Sequence, residues 1–159
     1  MSGMDCYTCR HNEAFGTLPP RELIAADRHW RVAHAFDAAL PGWLILVPLR
    51  HAESIADLTD DEAAALGTWQ VRLSRALHAV TGCTKTYVVQ FAEKEGFAHV
   101  HFHVVPRMPD LPADHRGPRV FAYLNAPGDH RVTAPAQDLL AAALRAHLTP
   151  ADPDPATPG

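Results

Sequence analysis

Three cysteines in 159 residues are too few to staple a small secreted fold, and they read as thiols or metal ligands rather than as disulfides. No apolar run approaches the ~20 residues of a membrane-spanning helix. The longest, Trp43–Leu49, is short and contains Pro48. The start, Met1-Ser2-Gly3-Met4-Asp5-Cys6, lacks the basic-then-apolar layout of a secretory signal. The expectation is therefore a cytoplasmic protein with no membrane partner. A basic surplus is missing too: 14 Lys and Arg stand against 18 Asp and Glu, a formal charge of −4. Nonspecific binding to nucleic acid is thereby disfavoured, and any phosphate must be held by a local site. There is no glycine-rich phosphate loop, no internal repeat, and no alternation of helix and strand as in doubly wound nucleotide folds.

What is present is a set of short strands around one strong helix. After a polar, irregular stretch over residues 1–20 come two apolar runs, Glu22–Ala26 and Trp30–Phe36, with Asp27-Arg28-His29 as a hairpin turn. Leu40-Pro41-Gly42 punctuates, and Trp43–Val47 reads as a buried strand ending at Pro48. Thr59-Asp60-Asp61-Glu62 has the form of a capping box. Leu66, Trp69, Leu73, Leu77 and Val80 then recur at helical spacing until Gly82. Thr86–Phe91 and Val100–Val105 read as strands joined by a turn over Ala92–Gly96, and a second helix is expected between Ala136 and His147. The order predicts an α+β fold: an antiparallel sheet of about five strands, with one long and one shorter C-terminal helix packed on it. A single domain over 1–148 and a disordered tail over 149–159 complete the expectation.

The segment richest in chemistry is His99-Val100-His101-Phe102-His103-Val104-Val105. Side chains alternate along a strand, so Val100, Phe102 and Val104 face the core while three imidazoles stand in a row, about 6–7 Å apart. One such histidine would be unremarkable, but three at period two occupy places where Thr, Lys or Glu usually stand. Imidazole is a nucleophile and proton carrier near neutral pH, and its neighbours can donate to phosphate oxygens. The row suits phosphoryl or nucleotidyl transfer, or a zinc site.

The pattern resembles the signature of the histidine triad family, His-φ-His-φ-His-φ-φ with φ apolar. Pro41-Gly42-Trp43-Leu44-Ile45-Leu46-Val47-Pro48-Leu49-Arg50-His51 and Asp57-Leu58-Thr59-Asp60-Asp61-Glu62 are similar to the family's upstream block and following helix. The resemblance covers roughly residues 4–108. It implies that His101 attacks the α-phosphorus of a nucleotide to form a nucleotidyl-histidine that water resolves, with His103 on the phosphate and His99 beside it. Glutamine marks the third position in the sugar-phosphate transferase branch, so His103 favours the hydrolases. Two departures stand out. Trp43 replaces a histidine common in the family, and reads either as core or as part of a nucleoside pocket. Glu95-Gly96-Phe97 replaces the usual Gly-Gln-Thr/Ser, leaving Gln90 as a substitute substrate-binding amide.

The spacing Cys6-x-x-Cys9 supplies only two of the four ligands a structural zinc needs. Bacterial proteins resembling this chain add the histidine of the Pro-x-Arg-His run and the first triad histidine. That implies a Zn2+ held by Cys6, Cys9, His51 and His99. Cys83 reads as structural. His11, His29, His34, His78, His115, His130 and His147 form no constellation, and most read as solvated. The resemblance also implies a homodimer and a nucleotide substrate, with adenine the expected base and dinucleoside polyphosphates the leading class. A nucleoside phosphoramidase is the close alternative. A nucleotide-binding module with little turnover, or a zinc-held structural protein, is the rival from another class.

Overall fold

The computed structural model describes residues 5–148 of the chain; the tail expected over 149–159 lies outside them. Five strands form one antiparallel sheet: β1 (Ala25–Ala26), β2 (Trp30–His34), β3 (Leu44–Pro48), β4 (Lys85–Val89) and β5 (Phe102–Arg107), in the order β1-β2-β3-β5-β4. The helices are α1 (Tyr7–Glu13), α2 (Asp60–Thr81) and α3 (Ala134–Leu148), with several short 3₁₀ turns between. The expected α+β architecture is what the chain adopts, and no described helix is long and apolar enough to cross a membrane.

Local chemistry explains the framework. Asp27 Oδ1 accepts the backbone N–H groups of His29 and Trp30, both at 2.7 Å, which closes the β1–β2 hairpin. Its other oxygen accepts the Trp69 indole N–H at 2.7 Å and so ties the turn to α2. Thr59 and Glu62 make the reciprocal capping box, and Gly82 ends α2 at φ 71°, a left-handed conformation that costs a residue without Cβ little. β3 starts one residue later than expected and includes Pro48, opposite Trp30. A proline is admissible there because it closes the strand and has no further ladder to donate to.

The register sorts side chains between two faces. Leu44, Leu46, Phe102 and Val104 face α2 and α3, where Leu73, Leu77, Ala141 and Leu144 complete the main core. Trp43, Ile45, Tyr87 and Val105 face the other way, under a wrap that includes Leu111, Val120 and Phe121. His103 lies opposite Ile45 and Val89 in the sheet, so it belongs to this second face. Cys83 is buried in the main core, as its reading as a structural residue requires.

One element departs from expectation. The irregular stretch over residues 1–20 contains α1, a helix of only seven residues whose cap is the Cys6 sulfur, which accepts the Cys9 N–H at 3.4 Å. Two turns of helix are too short to be stable alone or to show a period. α1 is held by what its sulfurs and rings touch.

Candidate active site and metal centre

The three histidines sit at the entrance to β5, and the two residues that start the row precede the strand proper. Their surroundings give each ring one protonation pattern. His101 Nδ1 lies 2.8 Å from the His99 carbonyl oxygen and donates to it. Its Nε2 is left with a lone pair, in a cavity of about 230 Å³ that His101 and His103 both line. Burial holds the His101 pKa below its ordinary value, which keeps that lone pair free at neutral pH. The His101 and His103 rings stand nearly perpendicular with centroids 5.0 Å apart.

His103 is buried, and its Nδ1 accepts the Trp43 indole N–H at 3.0 Å. In a neutral ring the proton then sits on Nε2. Burial first, and His101 second, push its pKa down to about 3. Trp43 is therefore a core residue, fully buried, that also touches the triad. It does not line the cavity, and neither does Gln90; the described lining instead includes Tyr7, Phe36, Asp37, Phe97, Phe121 and Asn125.

His99 faces away from the cavity. Its Nε2 donates to the Pro48 carbonyl at 2.9 Å, which aims Nδ1 at two sulfurs, Cys6 Sγ and Cys9 Sγ, each 3.5 Å away. His51 Nδ1 lies 3.2 Å from Cys9 Sγ, and its Nε2 donates to Glu53 at 3.2 Å. The four ligand atoms all lie within 4.8 Å of one another. A tetrahedron with zinc–ligand bonds of ~2.0–2.3 Å has edges of ~3.3–3.8 Å, which the Cys6–His99, Cys9–His99 and Cys9–His51 spacings already match, while the remaining pairs lie within 4.8 Å. The outer nitrogen of each histidine is already bonded, as a ligand requires to fix its tautomer. Without a cation beside it, burial and the neighbouring Cys6 push the Cys9 thiol up to about 12. A metal bound there would supply positive charge and favour the thiolates. The donor set fits a structural zinc, and Cys6, Cys9, His51 and His99 would hold it.

Sequence reasoning missed the far wall of the cavity. Tyr7 and Thr8, the two residues between the cysteines, line it. Tyr7 packs on Phe36 and Phe97 at centroid distances of 5.4 and 5.2 Å. Burial, then the Glu22 carboxylate, raise its hydroxyl pKa well above the usual range. Ala92 and Asn125, both on the lining, adopt positive φ of 56° and 53°, a conformation that side chains with a Cβ pay for. No period in the sequence marks these residues, because they come from four separate segments.

His34 is the buried exception among the remaining histidines, the other six being partly or fully exposed. It is buried, lines the cavity, donates from Nδ1 to the Ala35 carbonyl at 2.8 Å and accepts the Gly42 N–H on Nε2 at 3.0 Å. A second proton would set N–H against N–H, and burial lowers its pKa. Folded-state values below the unfolded ~6.5 mean that the unfolded chain takes up protons first as pH falls. Stability is therefore unaffected above about pH 7. It declines below about pH 6.5, by up to ~1.4 kcal/mol per pH unit for each imidazole held neutral. Denaturant titrations at pH 7.5 and 5.5 check this, and equal stability at both would contradict neutral burial of His34 and His103.

A half-buried Cys2His2 cluster able to hold a metal, next to an imidazole whose free nitrogen opens on a cavity, defines a histidine-row protein of the triad class. The profile described as HIT domain matches residues 19–110, and the chain belongs to that family. No match was found among curated proteins. Among solved structures the chain is similar to a histidine triad protein from Bradyrhizobium japonicum. The two are 29% identical with a TM-score of 0.64, over 78% of this chain and 87% of that one. It is also similar in fold to a Zn-bound histidine triad family protein from Mycobacterium smegmatis, at 22% identity and a TM-score of 0.64, over 92% and 97%.

Proposed function

We propose that the protein is a nucleotide hydrolase or transferase in which His101 Nε2 attacks the α-phosphorus of a nucleoside 5′-phosphate derivative. The observation that carries this is the His101 ring itself. Its Nδ1–H is fixed on the His99 carbonyl, so an unprotonated Nε2 is presented to a cavity large enough to admit a phosphate and part of a nucleoside. Membership of the HIT domain family supports nucleotide chemistry of this general kind. His103, with its proton on Nε2, is the donor to a phosphoryl oxygen. The aromatic wall of Tyr7, Phe36 and Phe97 suits a base, and the buried Asp37 carboxylate suits sugar hydroxyls.

A zinc ion at Cys6, Cys9, His51 and His99 would be structural, since four protein ligands leave no open position for substrate. It would tie α1 to the residues that precede β5 and so hold His101 at the cavity. The Zn-bound protein from Mycobacterium smegmatis supports this reading. The outer edge of β4 is unpaired among the described strands and fits a homodimer, which light scattering would read as a particle of twice the chain mass.

The test is product analysis with diadenosine polyphosphates and an adenosine phosphoramidate in parallel. AMP release, with a nucleotidyl group trapped on His101 by mass spectrometry after a quench, is expected. Nucleotide binding without product over hours would instead make the protein a binding module.

A further inference from the structure

The proton inventory of the cavity restricts the leaving group. We propose that Trp43 is a positioning residue that locks His103 as a neutral hydrogen-bond donor, so that the site acts on α-phosphates whose leaving group departs without a proton: phosphoric anhydrides and acidic esters. This rests on the reading of His101 as the nucleophile.

An indole N–H can only donate. Trp43 is wholly buried, and its Nε1 has the His103 Nδ1 lone pair as its partner at 3.0 Å. Leaving that N–H unpaired in the interior would be costly, so Nδ1 stays unprotonated and the ring's single proton stays on Nε2. The Phe121 ring packs nearly perpendicular to both, at 5.3 Å from Trp43 and 5.0 Å from His103, and fixes the pair. His103 can thus polarise a phosphoryl oxygen. It cannot give its proton away, because an imidazolate would remain.

The other described groups do no better. His99 has one nitrogen on the thiols and the other N–H on the Pro48 carbonyl. The only proton on His101 is held by the His99 carbonyl. Lys94 lies on the exposed rim, where its ammonium donates to Asn125 Oδ1 at 2.8 Å. Tyr7 stands on the aromatic wall, packed against Phe36 and Phe97 at centroid distances of 5.4 and 5.2 Å, on the side assigned to the base. The one ring proton of His34 is held by the Ala35 carbonyl, and Glu22, Asp37 and Glu93 are acceptors when ionised.

The chemistry balances without a general acid. In the first step the His101 Nε2 lone pair forms an N–P bond as the P–O bond to the leaving group breaks, and that electron pair departs on oxygen as an anion. In the second, water's oxygen bonds to phosphorus, the N–P pair returns to Nε2, and the water proton passes to solvent. Phosphate and aryloxide leave readily in this way, whereas alkoxides and amines need a proton.

The experiment is a leaving-group series of adenosine 5′-phosphate esters, from 4-nitrophenyl to methyl, with wild type, Trp43→Phe and Trp43→His. The methyl ester is expected to lag the nitrophenyl ester by more than the ~10²–10⁴-fold that a positioned proton donor supplies. Comparable rates on the two would overturn the proposal. Trp43→His, which replaces the fixed donor by a ring that can pass a proton, is expected to narrow the gap tenfold or more; an unchanged gap removes Trp43 from the explanation. ¹⁵N NMR of wild-type imidazoles decides independently of turnover, with Nε2–H expected for His103 and mixed tautomers in Trp43→Phe. An Nδ1–H His103 in wild type would overturn the lock. Failure to cleave even the nitrophenyl ester, with nucleotide still bound, overturns the hydrolase reading and the leaving-group limit falls with it.

Discussion

Replacing His101 with alanine is expected to lower AMP formation by about 10³-fold or more, toward the ~10⁶-fold seen when a nucleophile is removed from a cooperating set. The ring is half-buried and its one internal bond is to the His99 carbonyl, so folding should survive at a cost of about 1–3 kcal/mol for that unpaired oxygen. Nucleotide affinity should persist, because the aromatic wall and Asp37 are untouched. The comparison to make is single-turnover rate against nucleotide dissociation constant for His101→Ala and wild type. A variant that keeps activity within tenfold of wild type would end the case for His101 as nucleophile, whatever its stability.

Losing the metal is the second large effect. The tetrad joins α1 to the segment after β3 and to the residues before β5, so an ion bound there stabilises the folded state alone. With free ion ~1,000-fold above its dissociation constant the gain is about 4 kcal/mol. At ~2–4 °C per kcal/mol for a domain of this size, that is a change in Tm of order 10 °C. Chelation, or Cys9→Ser, should lower Tm by this amount, and purified wild type should contain about one equivalent of zinc. Nucleotide binding should weaken in parallel, since Tyr7 and Thr8 belong to the peptide that the two cysteines anchor. Well below one equivalent of metal, with a melting temperature indifferent to chelator, would count decisively against the site.

Much of this was legible from the residues in order. Period-two alternation over His99–Val105 placed Phe102 and Val104 in the main core and gave the row of imidazoles. The Thr59 box and Gly82 bounded α2 as expected, because caps are short-range chemistry. The four metal-site residues that the resemblance implied do converge. What alternation could not show is that His99 turns to the thiols while His101 and His103 turn to the cavity. The row begins ahead of β5, where the chain is no longer held in a ladder. The partnership of Trp43 with His103 depends on register: Ile45 stands opposite His103, which brings the residue two before Ile45 within reach on the same face. The burial of His34 was not legible because its partners, Ala35 and Gly42, are backbone groups of a turn, and no side-chain pattern announces them. The short α1 was invisible for a related reason, since its stability comes from distant contacts rather than from its own seven residues.

The tetrad also bears on how the chain reaches its native state. Cys9 is 42 positions from His51 and 90 from His99, so closing the cluster means closing two long loops at once. The entropy of such closures must be met by structure elsewhere before the four ligands can meet. Of these four ligands, an isolated helix or hairpin of this chain can offer an ion at most the Cys6-Cys9 pair. A polypeptide holding metal through all four groups has therefore already assembled its sheet, and stoichiometric metal uptake counts the completely folded fraction of a preparation.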